Sequence, residues 1–181
     1  MTNTVLVLGA RGRLGGAVAQ AFAVAGWRVL AQRRSAGKAP ADADGIEWVQ
    51  VEAGDTAALL RAATGARVVV HAMNPAYTAA AWRAQAPGLM QATIDATAAL
   101  GAVLLFPGNV YNFGADMPTV LAPDTPQRPG SENGRIRVDL EQQLAQATRS
   151  RGIRAVVIRA GDFFGAGSGS WLDQVIVKKL P

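Results

Sequence analysis

A wholly apolar run, Val5-Leu6-Val7-Leu8, stops at Gly9, and glycines then recur three residues apart at Gly9, Gly12 and Gly15. Helical spacing takes over at once: Leu14, Val18, Ala21, Phe22 and Ala25 fall on one face, with Gly26 as a stop. Strand, tight glycine turn and helix in that order leave few alternatives. Gly9 lets the chain leave the strand in a conformation that a side chain would forbid. Gly12, without a Cβ, lets a pyrophosphate approach the backbone, and Gly15 lets the helix lie tightly on the strand. The first-turn amides of that helix lack partners within it and sit at its positive end, so phosphate is the natural ligand.

Composition narrows the chemistry. The 181 residues suit one compact domain, half apolar and 17% charged. Without cysteine there is no disulfide framework, thiolate metal site or thiol nucleophile, and the single histidine, His71, excludes a multi-histidine metal cluster. No apolar run reaches the length of a membrane span and no secretory signal stands out, so no membrane partner and a cytoplasmic location are expected. The formal charge of +5 and pI near 10.4 raise nucleic acid as a partner. The distribution argues against it: Arg11, Arg13, Arg28, Arg33 and Arg34 fall around the expected phosphate site, and no basic stripe interleaves with aromatics.

Further strands are expected over 27–32, 46–51, 68–70, 103–106 and 155–158. Between them the pattern predicts a loop over 35–45, a short helix over 57–63 capped by Asp55 or Thr56, and an alanine-rich helix over 78–100. Pro87 is expected to bend or break that long helix. An irregular, proline-rich loop runs to Gly130, a helix covers 135–149 with Ile136, Leu140 and Leu144 on one face, and another covers 171–180. Apolar strands alternating with helices mean an α/β fold: a Rossmann-type, doubly wound parallel sheet in three αβα layers. Ligands of such sheets bind beyond the carboxyl ends of the strands. That rule gathers Gly9–Gly15, Arg33–Arg34, Asp55, His71–Pro75, Pro107–Tyr111 and Arg159–Phe164 into one crevice.

Arg33 lies about 20 residues past the glycine turn, where an acidic residue would hold the ribose 2′-hydroxyl of NAD. Arg33 and Arg34 stand there instead, and a guanidinium suits a 2′-phosphate, so NADP is expected over NAD. His71 ends a buried strand and is expected to be packed and hydrogen-bonded, without a role in proton transfer.

With these residues in view, the chain resembles the extended and atypical short-chain dehydrogenase/reductases, which include the NAD-dependent epimerase/dehydratase family and the NmrA-like proteins. The glycine turn, Gly54-Asp55, His71-Ala72, Pro107-Gly108-Asn109-Val110-Tyr111 and Arg159-Ala160-Gly161-Asp162-Phe163-Phe164-Gly165 carry the likeness. It implies a cofactor site of Gly9, Ala10, Arg11, Gly12, Arg13, Leu14, Gly15, Arg33, Arg34, Asp55, Ala72, Met73, Asn74, Pro107, Gly108 and Asn109. In it Asp55 would meet the adenine amino group, the alternative being a helix cap that uses the same carboxylate.

The resemblance fails at the catalytic group. Reductases of the family use Ser or Thr with Tyr-x-x-x-Lys; aligning on Glu141 puts Asn133 in the tyrosine's place and Arg137 in the lysine's. Asn133 cannot titrate and Arg137 stays charged, which leaves Tyr111 as the candidate proton donor. Extended members also continue into a small carboxyl-terminal substrate-binding part, so this part is expected to be missing or truncated in a chain whose Rossmann domain fills 1–181. Two readings follow: an oxidoreductase or epimerase-like enzyme acting on a small carbonyl or sugar-derived substrate, or a non-catalytic NAD(P)-binding sensor of NmrA-like type. A homodimer is left open.

Overall fold

The computed structural model describes residues 2–34 and 45–161. Six strands form one parallel sheet: β1 (Thr4–Leu8), β2 (Arg28–Arg33), β3 (Ile46–Gln50), β4 (Val68–His71), β5 (Val103–Gly108) and β6 (Arg154–Arg159), in the order β3-β2-β1-β4-β5-β6. Their connections are α1 (Arg13–Val24), α2 (Thr56–Ala62), α3 (Ala79–Leu100) and α4 (Glu132–Arg151). The expected helix over 171–180 and the segment from Asp162 to Gly165 lie outside the described residues, as does nearly all of the loop expected over 35–45.

β1 is buried along its whole length because both of its faces are covered. Val5 and Val7 join Val29, Ala31 and Val70 under Ala19 of α1. Leu6 and Leu8 point the other way, with Leu30 and Val69, onto Leu59 of α2 and Ala96 of α3. A further core joins Trp82, Ala86, Met90 and Ile94 of α3 to Leu104 and Phe106 of β5 and to Ile136, Leu140 and Leu144 of α4. On the α1 side of β6, by contrast, Val156 and Ile158 are 49% and 53% exposed.

Two local expectations need correction. Of the bend or break expected at Pro87, the break does not occur: α3 runs through the proline as one helix. Trp82, Ala86 and Met90 anchor the helix in the core on both sides of the proline, and that packing outweighs the roughly 3 kcal/mol that an interior proline costs. β5 runs two residues further than expected, through Pro107 and Gly108, which pair with Ile158 and Arg159. Pairing with β4 ends at Leu105, so the missing N–H of Pro107 interrupts no ladder on that side.

Candidate functional site

Strand order reverses between β1 and β4, and the glycine turn sits at that point. Gly9 has φ +78°, and a Cβ there would lie 2.7 Å from the Ala72 carbonyl oxygen and 3.0 Å from Met73 Cα. The turn therefore rests directly on the chain leaving β4. A Cβ on Gly15 would fall inside the Gly9 carbonyl oxygen, which is why α1 can start so close to β1. The Gly12 amide donates to the Gly9 carbonyl at 2.9 Å, and the Ala10 amide to the Gln32 carbonyl at 3.2 Å. Gly12 is the N-cap of α1 and offers no side-chain hydrogen bond, and no acidic residue occupies the first turn. Arg11, Gly12 and Arg13 are exposed, Leu14 is half-buried and Gly15 is buried. A helix start without a side-chain cap, flanked by exposed arginines and opened by glycines, fits a dinucleotide's diphosphate.

At the end of β2 the side chains alternate. Gln32 is buried; its Oε1 accepts from the Gly9 amide at 2.9 Å and its Nε2 donates to the Val51 carbonyl at 2.5 Å. It ties the turn to β2 and to the exit of β3, a role that sequence reasoning missed. The signal was a glutamine at an otherwise apolar strand position. Arg33 points outward and donates to Gln50 Oε1 at 3.2 Å, beside the exposed Arg34. Arg28 does not belong here: it begins β2, at the amino end of the strand and away from the glycine turn, and pairs with Glu47 at 2.5 Å. Asp55 is the cap of α2, its Oδ1 accepting from the Ala58 amide at 2.9 Å, and it follows a turn after β3.

Across the switch point, His71 is 5% exposed and packs edge-on to Phe106. Its Nδ1 lies 2.8 Å from Thr93 Oγ1, whose own proton goes to the Leu89 carbonyl. The histidine must then donate from Nδ1, which makes it the neutral tautomer with a bare Nε2. Burial, reinforced by the charge of Arg137, pushes its pKa down to about 3. Ala72 and Met73 are half-buried beside the turn, and Asn74 is exposed. The Ala72 amide extends the β1–β4 ladder by donating to the Leu8 carbonyl.

The segment after β5 is built around Asn109, whose Oδ1 accepts from the Tyr111 amide at 3.0 Å. This Asx turn opens a single 3-10 turn, Tyr111–Phe113, which buries Asn112 and Phe113 and leaves Tyr111 42% exposed. A Cβ on Gly134 would run into the Tyr111 carbonyl oxygen, so the start of α4 packs closely on that turn. Arg137, one helical turn after Asn133, donates to the Pro107 carbonyl at 3.3 Å. Its guanidinium lies 4.6 Å from the Trp82 ring and 5.7 Å from that of Phe106. Burial pushes it below the usual guanidinium range, against Glu141, Tyr111 and Tyr77, which favour the charged form. Tyr111, Asn133 and Arg137 thus gather at the carboxyl ends of β4 and β5. Beneath them Glu141 accepts from Arg159 through both carboxylate oxygens, from Asn112 at 2.9 Å and from Gln127 at 2.8 Å.

A model of the NAD dependent epimerase/dehydratase family matches residues 5–179. The chain belongs to that family. No curated protein matches it. This epimerase/dehydratase-family chain is similar in structure to UDP-glucose 4-epimerase from Brucella ovis in complex with NAD, at 22% identity and TM-score 0.75, over 89% of this chain and 52% of that one. UDP-N-acetylglucosamine 4-epimerase from Bacillus cereus matches at 15% identity and TM-score 0.80, over 96% and 66%. Glucuronic acid dehydrogenase from Chromohalobacter salexigens matches at 21% and 0.72, over 91% and 62%. At these identities the likeness is one of fold, and the epimerase/dehydratase-family chain spans about half the length of the Brucella enzyme. Among the described residues no helix is long and apolar enough to cross a membrane, and no cluster of potential metal ligands occurs.

Proposed function

We propose that this member of the family is an oxidoreductase or epimerase-like enzyme that binds NADP in preference to NAD and acts on a small carbonyl or sugar-derived substrate. One observation carries the reading: a Cβ-free turn with φ +78° at Gly9, set against Ala72 and Met73 and leading into a helix that no side chain caps. Gly9, Ala10, Gly12 and Gly15 shape the cradle. Arg11, Arg13 and Leu14 line its outer rim, and Ala72, Met73 and Asn74 form its floor. Arg33 and Arg34 stand at the end of β2, where a 2′-phosphate partner is called for, and the neighbouring Gln32 is turned inward to the Gly9 amide. Asp55 supports an adenine contact only through what its capping bond to Ala58 leaves over.

A bound nicotinamide ring supplies the ability to take or give hydride. Around it the chain's own groups have limited tasks. Pro107, Gly108 and Asn109 form the wall between cofactor and substrate. Tyr111 is the group that can exchange a proton at the substrate oxygen. Asn133 cannot titrate, so it orients by hydrogen bonding alone, and Arg137 is a fixed cation beside the tyrosine.

Calorimetric titration with NADPH and NADH, followed by a turnover screen over carbonyl compounds and sugars, tests the proposal. We expect tighter NADPH binding, slow turnover of at least one compound, and its loss in Tyr111→Phe. Cofactor binding without any turnover would select the sensor reading, which the non-titrating Asn133 favours. Undiminished turnover in the tyrosine variant would remove Tyr111 as the acid.

A further inference from the structure

Gln32 is a buried polar residue in an apolar row. It follows Leu30 on the face of β2 that packs with Leu6, Leu8 and Leu59, where the pattern calls for another apolar side chain. A buried amide is costly unless its hydrogen bonds are met, and both ends of this one are met. Oε1 accepts from the Gly9 amide and Nε2 donates to the Val51 carbonyl. The side chain thus does what a peptide unit does in the middle of a parallel sheet, accepting from one neighbour and donating to the other.

It does so where the backbone ladders run out. The register between β1 and β2 ends at Val7 with Ala31, and that between β2 and β3 at Arg33 with Gln50. Beyond those pairs the backbone adds one bond on each side: the Ala10 amide to the Gln32 carbonyl, and the Val51 amide to the Arg33 carbonyl, each at 3.2 Å. Gln32 adds a second bond on each side through its amide group. One side chain therefore fixes the glycine turn, the strand end that carries Arg33, and the exit of β3, whose Gln50 receives the Arg33 guanidinium.

In NADP the 5′-diphosphate and the 2′-phosphate are fixed on one ribose. Binding both at once gains affinity only when the two protein sites are held at the matching span. We infer that Gln32 is a positioning residue that sets the span between the glycine turn and Arg33, and through it the preference for NADP over NAD. This rests on the cofactor reading proposed above and deepens it. At 1% exposure Gln32 acts through Gly9 and Arg33, without touching the cofactor.

The test is calorimetric titration of the full chain with NADPH and with NADH, in the wild type, Gln32→Met, Arg33→Ala and the double variant. Gln32→Met keeps the bulk of the side chain and removes both bonds. It should reduce the NADPH-over-NADH preference roughly five-fold or more, and it should reduce that ratio no further once Arg33 is alanine. A residue that only supports the fold would weaken both dinucleotides alike and leave the ratio unchanged. An unchanged ratio, or the same fall with and without Arg33, therefore overturns the inference. If Gln32→Met loses the wild-type circular dichroism, Gln32→Asn carries the same comparison, since its amide is one methylene too short to reach both partners. A wild type that binds the two dinucleotides equally, or binds neither, refutes the proposed NADP preference before any variant is made. A preference that survives in the Gln32 variants refutes the role of Gln32 alone.

Discussion

Gln32 and Arg33 are neighbours at the end of β2 with opposite fates, because a strand sends successive side chains to opposite faces. Gln32 goes inward and fixes the turn; Arg33 goes outward, half-buried, to the rim. Replacing Arg33 with Asp should weaken NADPH at least about ten-fold more than NADH, since a phosphate partner becomes a repulsive one. Parallel titrations of the two cofactors check this, and equal losses would reduce Arg33 to shaping the strand end. His71 makes a second prediction at this scale. Its pKa falls from 6.5 to about 3 on folding, so the unfolded chain takes up a proton below pH 6.5 that the folded chain refuses. This contribution to stability is complete above pH 6.5 and is lost as pH drops through that window. Between pH 6.5 and 5 the loss is about 1.5 kcal/mol. Urea melts over that range should show the slope, and His71→Gln should flatten it.

At the scale of elements, Glu141 decides how the long loop is held. From α4 it binds Arg159 of β6, Asn112 of the 3-10 turn and Gln127 of the loop, so one carboxylate joins four segments. Removing it strands Arg159, which otherwise reaches the Asn109 carbonyl at 3.2 Å and the Phe113 ring at 5.1 Å. Glu141→Ala should cost about 2–3 kcal/mol, less than for a fully buried pair because the Arg159 side chain is 26% exposed. Chemical denaturation measures that loss, and limited proteolysis should show earlier cutting between Gly114 and Gly130. The helix α3 makes a related point. Its alanines and its proline leave its local preference mixed, and the helix holds because Trp82, Ala86, Met90 and Ile94 are gripped by β5 and α4.

At the scale of the whole molecule, the parallel order of the strands brings the carboxyl ends together and separates the charges. Arg11, Arg13, Arg33 and Arg34 share the end with the glycine turn, while Arg28 begins β2 at the other end. A ligand that bridges the turn and the end of β2 therefore reports on the fold as a unit. NADPH at about 100 times its Kd should stabilise the folded state by about 2.7 kcal/mol, a rise in Tm of roughly 5–11 °C for a chain of this size. Differential scanning calorimetry measures it, and NADH at the same concentration should give the smaller shift. No shift with either dinucleotide would refute cofactor binding.

The sequence by itself determined the fold class, because apolar strands, a glycine-spaced first crossover and helical periodicity are short-range patterns that one chain segment carries alone. It also located the glycine cradle, the arginines at the end of β2 and the buried face of α4 at Ile136, Leu140 and Leu144. What only the tertiary structure decided are the partnerships between distant segments. Gln32 reaching Gly9 and Val51, Arg28 going to Glu47, Asp55 being spent on Ala58, and Arg137 lying on Trp82 are set by which side chains meet across strands and helices. A hydrogen bond or a desolvated charge depends on that meeting, and spacing along the chain does not encode it.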